Sequence, residues 1–341
     1  MAASAGCEQA QQARAAAKER VRQRVWDLLE AQEAVPYPRP CHGRIPNFHG
    51  ADAACERLAA LPEFLAARVV KVHPSLGATR LRALVLEAGK ALLVPPLPGH
   101  DFLYYLLDPR AVPAGGCALA AEKRGFRRYG RPLGSITEVP PVDLVVVASV
   151  AVTLEGLRLG KGKGYGEVEY GILREVGAVA PVTPVATICH DLQVVASEEL
   201  PRSLLAPHDL PVDVFCTPTR TLRPAERLPK PQGILWHLVQ PEMEHDIGAL
   251  RELRQLSACC QEAGAGSHAS VGDAAAGGGQ PSPPYAAGRG RGRGTRGGGS
   301  SDQAGAGSCA GQAPQGRRKR AGRAGGQGQR AWRPVLREAE G

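Results

Sequence analysis

Asp143-Leu-Val-Val-Val-Ala-Ser-Val-Ala-Val152, closely followed by Arg158-Leu-Gly-Lys-Gly-Lys-Gly-Tyr-Gly-Glu167, is the segment from which the fold and the site are read. The first half is the most apolar, β-branched run of the chain and predicts a central strand, with its best stretch at Val142 to Val147. The second half alternates glycine with lysine. Glycine lets a backbone turn sharply and lets a phosphate approach main-chain N–H groups, and lysine brings point charges to phosphate oxygens. A helical pattern from Val168 to Val176 follows. Strand, Gly/Lys loop and helix N-terminus together make a recurrent holder of polyphosphate. The spacing is neither a P-loop, since G-x-x-x-x-G-K-[ST] is absent, nor a dinucleotide fingerprint, since glycines 160, 162 and 164 do not fit G-x-G-x-x-G. On spacing alone, a phosphate cradle and a glycine-rich turn with solvated lysines both stay open.

Around this segment, short apolar runs alternate with helical patterns. Residues 8 to 34 predict a helix with Val21, Val25, Leu28 and Leu29 on one side, ended by Pro36, Pro38 and Pro40. Helices are expected at 52 to 67, 81 to 88, 101 to 107 and 247 to 256, and strands at 91 to 94, 185 to 188, 212 to 216 and 235 to 239. This order predicts an α/β domain over residues 8 to 260, its mostly parallel, open sheet flanked by helices. In such sheets the ligand sits at the carboxyl ends of the strands, where the Gly/Lys loop falls.

The chain has 341 residues and a formal charge of +9, unevenly placed. Residues 285 to 341 carry twelve Lys/Arg against three Asp/Glu, so the basic excess belongs to the tail. From residue 263 to 341 Gly, Ala, Ser, Gln, Pro and Arg dominate. A segment so poor in large apolar side chains cannot offset its ordering entropy, and it is expected to be a disordered basic tail. The nine cysteines include no C-x-x-C and no zinc-like spacing, the N-terminal residues lack an apolar leader core, and no run approaches the ~20 apolar residues of a bilayer span. A cytoplasmic protein, with access to the nucleus through Arg317-Arg-Lys-Arg320, is the expectation. No DNA-specific motif is found.

The strand and Gly/Lys loop are similar to the signature of the 5-formyltetrahydrofolate cyclo-ligase family. Two further segments resemble family landmarks in the right order: Lys18-Glu-Arg-Val-Arg22 and His208-Asp209-Leu-Pro-Val-Asp213-Val-Phe-Cys-Thr217. The resemblance spans about residues 15 to 258. It implies a cyclo-ligase-like fold and an ATP- and Mg²⁺-dependent closure of 5-formyltetrahydrofolate to 5,10-methenyltetrahydrofolate, in which the protein positions and neutralises a migrating phosphoryl group. By the same resemblance, Lys18, Arg22, Arg158, Gly160, Gly162, Lys163 and Gly164 would hold the nucleotide, Lys161 and Tyr165 would touch folate, and Glu167 and Asp213 would take Mg²⁺. Asp213 also reads as a strand-edge carboxylate satisfied by backbone N–H groups, and its residue type leaves both readings open.

Three departures stand out. Glu167 replaces the family's aspartate, Gly166 its second tyrosine, and the region Val70 to Pro74 has no carboxylate where the family's E-x-x-T acid helps hold folate. A metal ligand longer by one methylene fits the octahedral demands of Mg²⁺ poorly. The expectation is therefore a degenerate or weakly active cyclo-ligase-like domain in an RNA-associated protein, with an active cyclo-ligase as the alternative. The RNA expectation rests on Arg289, Arg291, Arg293 and Arg296, spaced by glycine and suited to weak, salt-sensitive phosphate contact. Some relatives carry an RNA-recognition motif, but its RNP1 pattern is absent here. The consecutive Cys189, His190 and Asp191 do not form a nucleophile site, because neighbours on a strand face opposite ways.

Overall fold

The computed structural model describes residues 2–96, 100 and 102–265. Arg289, Arg291, Arg293, Arg296 and nearly all of the 263–341 tail lie outside these residues.

In chain order the elements open with helices α1 (Ala2–Ala31), α2 (Ala51–Ala59) and α3 (Pro62–Ala66). Strand β1 (Val69–Val72), helix α4 (Thr79–Glu87) and strands β2 (Ala91–Val94) and β3 (Tyr105–Leu107) come next. Helices α5 (Cys117–Ala120) and α6 (Lys123–Tyr129) precede strands β4 (Arg131–Pro132), β5 (Leu144–Val147), β6 (Ala151–Thr153) and β7 (Arg158–Leu159). Then follow α7 (Tyr165–Glu175), β8 (Val185–Ile188), β9 (Val194–Val195), β10 (Val214–Cys216) and β11 (Thr221–Leu222). Helices α8 (Pro241–Asp246) and α9 (Gly248–Ala265) complete the described chain.

Eight strands form one sheet in the order β11-β10-β8-β5-β1-β2-β3-β4. The five inner strands, β10 to β2, run parallel, while β11, β3 and β4 join antiparallel at the edges. The predicted mostly parallel α/β sheet is what forms. All four residues of β5 are buried because both faces of the sheet are covered. Leu144 and Val146 join the core under α2 and α4, whereas Val145 and Val147 join the core under α7 and α9. The same alternation carries Val70 and Val72 to the first core and turns Lys71 toward α7. A separate three-stranded sheet, β7-β6-β9, packs with Val21, Val25, Trp26 and Leu29 of α1 in a third core.

Some expected elements take another form. The helix expected at 52 to 67 is two helices, because Pro62 occupies the first turn of α3 after α2 has ended. The helix expected at 101 to 107 contains strand β3, since antiparallel pairing with β2 gives Tyr105 and Leu107 buried places. The strand expected at 235 to 239 is a 3₁₀ turn at Trp236–Leu238, with no strand partner. Among the described residues no helix is long and apolar enough to cross a membrane.

Two aspartates stitch the amino-terminal edge of the sheet in the same way. Asp143, just before β5, accepts from Val69 N at 2.9 Å and donates its own N–H to Val69 O at 3.0 Å. Asp213, just before β10, accepts from Val185 N at 2.8 Å and donates to Val185 O at 2.8 Å. Asp213 is more deeply held, with Lys230 Nζ 2.6 Å from its carboxylate and both side chains nearly inaccessible. Removing one partner of such a pair leaves an uncompensated buried charge, so Asp213→Ala is expected to cost about 3–5 kcal/mol in urea unfolding. The same variant should leave ligand affinity unchanged, which a binding titration of the folded fraction checks.

Candidate functional site

A cavity of about 730 Å³ opens where α1, the carboxyl ends of β1 and β5, the Gly/Lys loop and the start of α7 meet. This is the carboxyl edge of the parallel strands, as the α/β rule requires. Seven cationic and four acidic side chains line it, leaving it electropositive toward an anion.

The Gly/Lys loop turns through two left-handed residues, Gly162 (φ 87°) and Gly164 (φ 71°), the latter capping α7. The loop glycines have a second duty beyond phosphate approach. A Cβ at Gly160 would sit 3.1 Å from the Arg158 guanidinium, and one at Gly162 would sit 3.3 Å from that of Arg22. Missing side chains thus let two arginines lie against the loop. Arg22 donates from Nε to Gly160 O at 2.8 Å and so ties α1 to the loop. One turn earlier, Lys18 is 7% exposed and pairs with Asp209.

Arg158, which the resemblance implies as a nucleotide contact, lines the cavity and is itself engaged by the protein. It is 4% exposed, and it donates to Leu210 O at 3.0 Å, Ala148 O at 2.5 Å and the Glu167 carboxylate. Its donors hold the protein together at the cavity wall. Lys163 is exposed at the cavity and, among the described residues, makes no hydrogen bond or ion pair. Lys161 lies 5.7 Å from the centre of the Tyr165 ring, over its face. Tyr165 donates to Asp246 Oδ2 at 2.6 Å, and burial first, then Asp246, pushes its phenol up to about 12.

The carboxylates expected to share a metal are not brought together. Glu167 stands at the cavity with Oε1 bound by Arg158, which leaves Oε2 without a partner among the described residues. Asp213 precedes β10 at the opposite edge of the sheet and does not line the cavity, because Val185 N and Lys230 use its carboxylate. The structural reading of Asp213 has the partners it calls for in Val185 N and Lys230. Elsewhere, Glu30, Cys41 and His42 approach one another closely enough to suggest a metal. Glu30 is already engaged by Cys41 N at 2.6 Å and Arg39 at 2.8 Å, and burial pushes the Cys41 thiol up to about 12, against thiolate ligation. Cys189 is likewise a buried thiol raised by desolvation.

Sequence reasoning missed Lys71, His73, Glu169 and Asp246. Lys71 is 2% exposed in the middle of β1 and pairs with Glu169 Oε2 at 2.5 Å. A lysine inside the apolar run Val-Val-Lys-Val was a usable signal, since a buried charge demands a partner. The region that lacks the family's acid therefore contributes a cation, and the facing carboxylate comes from α7. His73, at the end of β1, also lines the cavity.

Residues 14–218 match the model of the 5-formyltetrahydrofolate cyclo-ligase family. The methenyltetrahydrofolate synthase domain-containing proteins of Bos taurus and Mus musculus are 41% and 43% identical to the chain over 260 and 242 residues. These alignments cover 75% and 70% of this chain but 65% and 63% of theirs, so the chain spans just under two-thirds of their length. The NMR structure of Aquifex aeolicus 5,10-methenyltetrahydrofolate synthetase aligns with a TM-score of 0.39 and 23% identity, over 63% of this chain and 94% of that one.

The buried phenols give this region an alkaline signature. Burial pushes Tyr165 and Tyr170 up to about 12 and Tyr104 further above the usual phenol value. Each therefore binds its proton more tightly folded than unfolded. Their contribution to stability is fully present below pH ~10 and is lost as pH rises from ~10 through ~12. An ultraviolet titration should show these three of the seven tyrosines ionising late, together with unfolding.

Proposed function

The chain belongs to the 5-formyltetrahydrofolate cyclo-ligase family, and we propose that its cavity binds ATP with 5-formyltetrahydrofolate and closes the folate ring weakly. The supporting observation is Lys163, unpaired at the mouth of an electropositive cavity, beside two left-handed glycines and the amino end of α7. Backbone N–H groups at that end suit phosphate oxygens, and Lys163 adds a mobile point charge. Lys18 and Arg22 act by holding α1 across the cavity, and Arg158 by fixing Glu167. Lys161 and Tyr165 form a wall on which a flat ring can lie.

In the reaction, the formyl oxygen takes the γ-phosphoryl group as the β–γ bond breaks and ADP leaves, and the neighbouring folate amine then displaces it as phosphate while losing its proton. The protein's part is orientation and charge. Glu167 would hold Mg²⁺ without Asp213, and the ion would supply neutralisation of the phosphate charge. A single carboxylate oxygen whose partner atom is held by Arg158 is the reason turnover is expected to be weak.

Titration calorimetry of the full chain tests the binding. Lys163→Ala should weaken ATP at least about tenfold, in keeping with one lost charged hydrogen bond, and unchanged affinity removes the cradle. Methenyltetrahydrofolate absorbance tests the chemistry. Glu167→Asp is expected to raise the rate, and a wild-type rate in the ordinary range of roughly 1–10³ s⁻¹ refutes weak turnover.

We further propose that the arginine-rich tail associates with RNA, on the observation of four arginines spaced by glycine at 289 to 296. Replacing all four with glutamine should weaken single-stranded RNA retention and reduce its log–log salt slope by up to about 3. An unchanged slope moves any RNA contact elsewhere.

A further inference from the structure

Between Asp108 and Glu138 the sequence holds six cations and one acid, Glu122. Four of those cations, Lys123, Arg124, Arg127 and Arg128, fall on α6, and all four are exposed. At 3.6 residues per turn they lie within about 140° of one another around the helix axis. The remaining arc carries Gly125 and Phe126, which are buried, and the half-buried Tyr129. Phe126 enters the first core, its ring centre 5.8 Å from that of Tyr105 in β3. A Cβ at Gly125 would collide with Leu119 O, so α6 lies hard against α5. The cationic face is turned outward on a fixed support, and none of its four residues lines the cavity.

Local electrostatics disfavours this face. Lys123 and Arg124 stand in the first turn of α6, where the helix dipole opposes cations. Lys123 and Arg127, like Arg124 and Arg128, are equal charges one turn apart. Exposed arginines at 110, 131, 202, 223 and 254 each reach a carboxylate. Lys123, Arg124 and Arg127 make no hydrogen bond or ion pair among the described residues, and Arg128 lies 5.2 Å from the centre of the Tyr129 ring.

Such an array calls for a polyanion. Three of its four cations are arginines, whose planar forks fit phosphate oxygens in pairs. One helical turn sets paired cations about 5–6 Å apart at their Cβ atoms, on the scale of successive phosphates along one strand. A protein partner or a bilayer would call for apolar side chains among the charges, and Leu119 is the one large apolar side chain that α5 and α6 expose. Interfaces with nucleic acid are more polar and more positive, as this face is.

We infer that α6 is a docking surface for the phosphate backbone of single-stranded RNA, held without regard to base sequence. The choice of RNA rests on the reading of the tail, whose glycine-spaced arginines suit the same backbone.

Fluorescence anisotropy of the full chain with a mixed-sequence single-stranded RNA tests this. Wild type is compared with an α6 variant (Lys123→Gln, Arg124→Gln, Arg127→Gln and Arg128→Gln), with the tail variant in which the arginines at 289, 291, 293 and 296 become glutamine, and with Glu122→Gln. The α6 variant should bind RNA about tenfold or more weakly, with a log–log salt slope lower by up to about 3, at roughly 0.7 per lost phosphate contact. Glutamine is a good helix former, and circular dichroism should show the fold retained. Glu122→Gln removes the acid beside the array and should tighten RNA binding, a gain that unfolding cannot produce. Unchanged affinity and slope in the α6 variant overturn the inference; if that variant fails to fold, unchanged affinity in Glu122→Gln does so in its place. A loss in the α6 variant with none in the tail variant ends the tail reading alone, and the converse ends this one alone. A larger loss for phosphatidylserine vesicles or duplex DNA than for RNA overturns the choice of occupant.

Discussion

Three charges that cannot be left alone set the shape of this molecule's cavity. Lys18, Lys71 and Arg158 are each almost fully inaccessible, and each reaches a carboxylate: Asp209 and Glu169 from distant parts of the chain, and Glu167 from the far side of the Gly/Lys loop. An unpaired charge in such surroundings costs several kcal/mol, so these partners must meet in the folded state. Their meeting draws α1, the centre of the sheet and the start of α7 around one space. The hydrophobic cores stabilise the layers, but the ion pairs decide where the layers leave a gap.

This arrangement also divides the labour among cations of the same kind. Those with buried partners build the wall and have little left to offer a ligand. Lys161 and Lys163 sit on the loop surface, where the backbone has already been turned by glycine, and remain available. A basic residue in a phosphate-like motif is therefore not automatically a phosphate contact. Arg158 illustrates the point, because its guanidinium is spent on two carbonyls and Glu167.

Much of the fold was legible because the central strands bury both faces and read as unbroken apolar runs, as in Leu144 to Val147 and Val185 to Ile188. The edge was harder. Tyr105 to Leu107 has too few residues for a period to show, and its strand character comes from pairing with β2. In the site, the loop and α1 were visible as local patterns. Glu169 and Asp246 were not, since each becomes relevant only through a partner brought close by the fold, Lys71 and Tyr165. Asp213 marks the limit of motif reading: a carboxylate before a strand serves the sheet edge as readily as a metal, and Asp143 holds the edge of β5 in the same way.

The clasp of α1 has a consequence for the order in which the protein is made. Lys18 finds Asp209 across 191 positions, and Arg22 finds Gly160 across 138. At about 5–20 residues per second, the ribosome needs roughly 10–40 s to deliver the more distant partner. During that interval Val25, Trp26 and Leu29, destined for burial, lack the part of their cover that comes from Val150, Leu157, Leu159 and Val195. Docking of α1 therefore waits on partners made long after it.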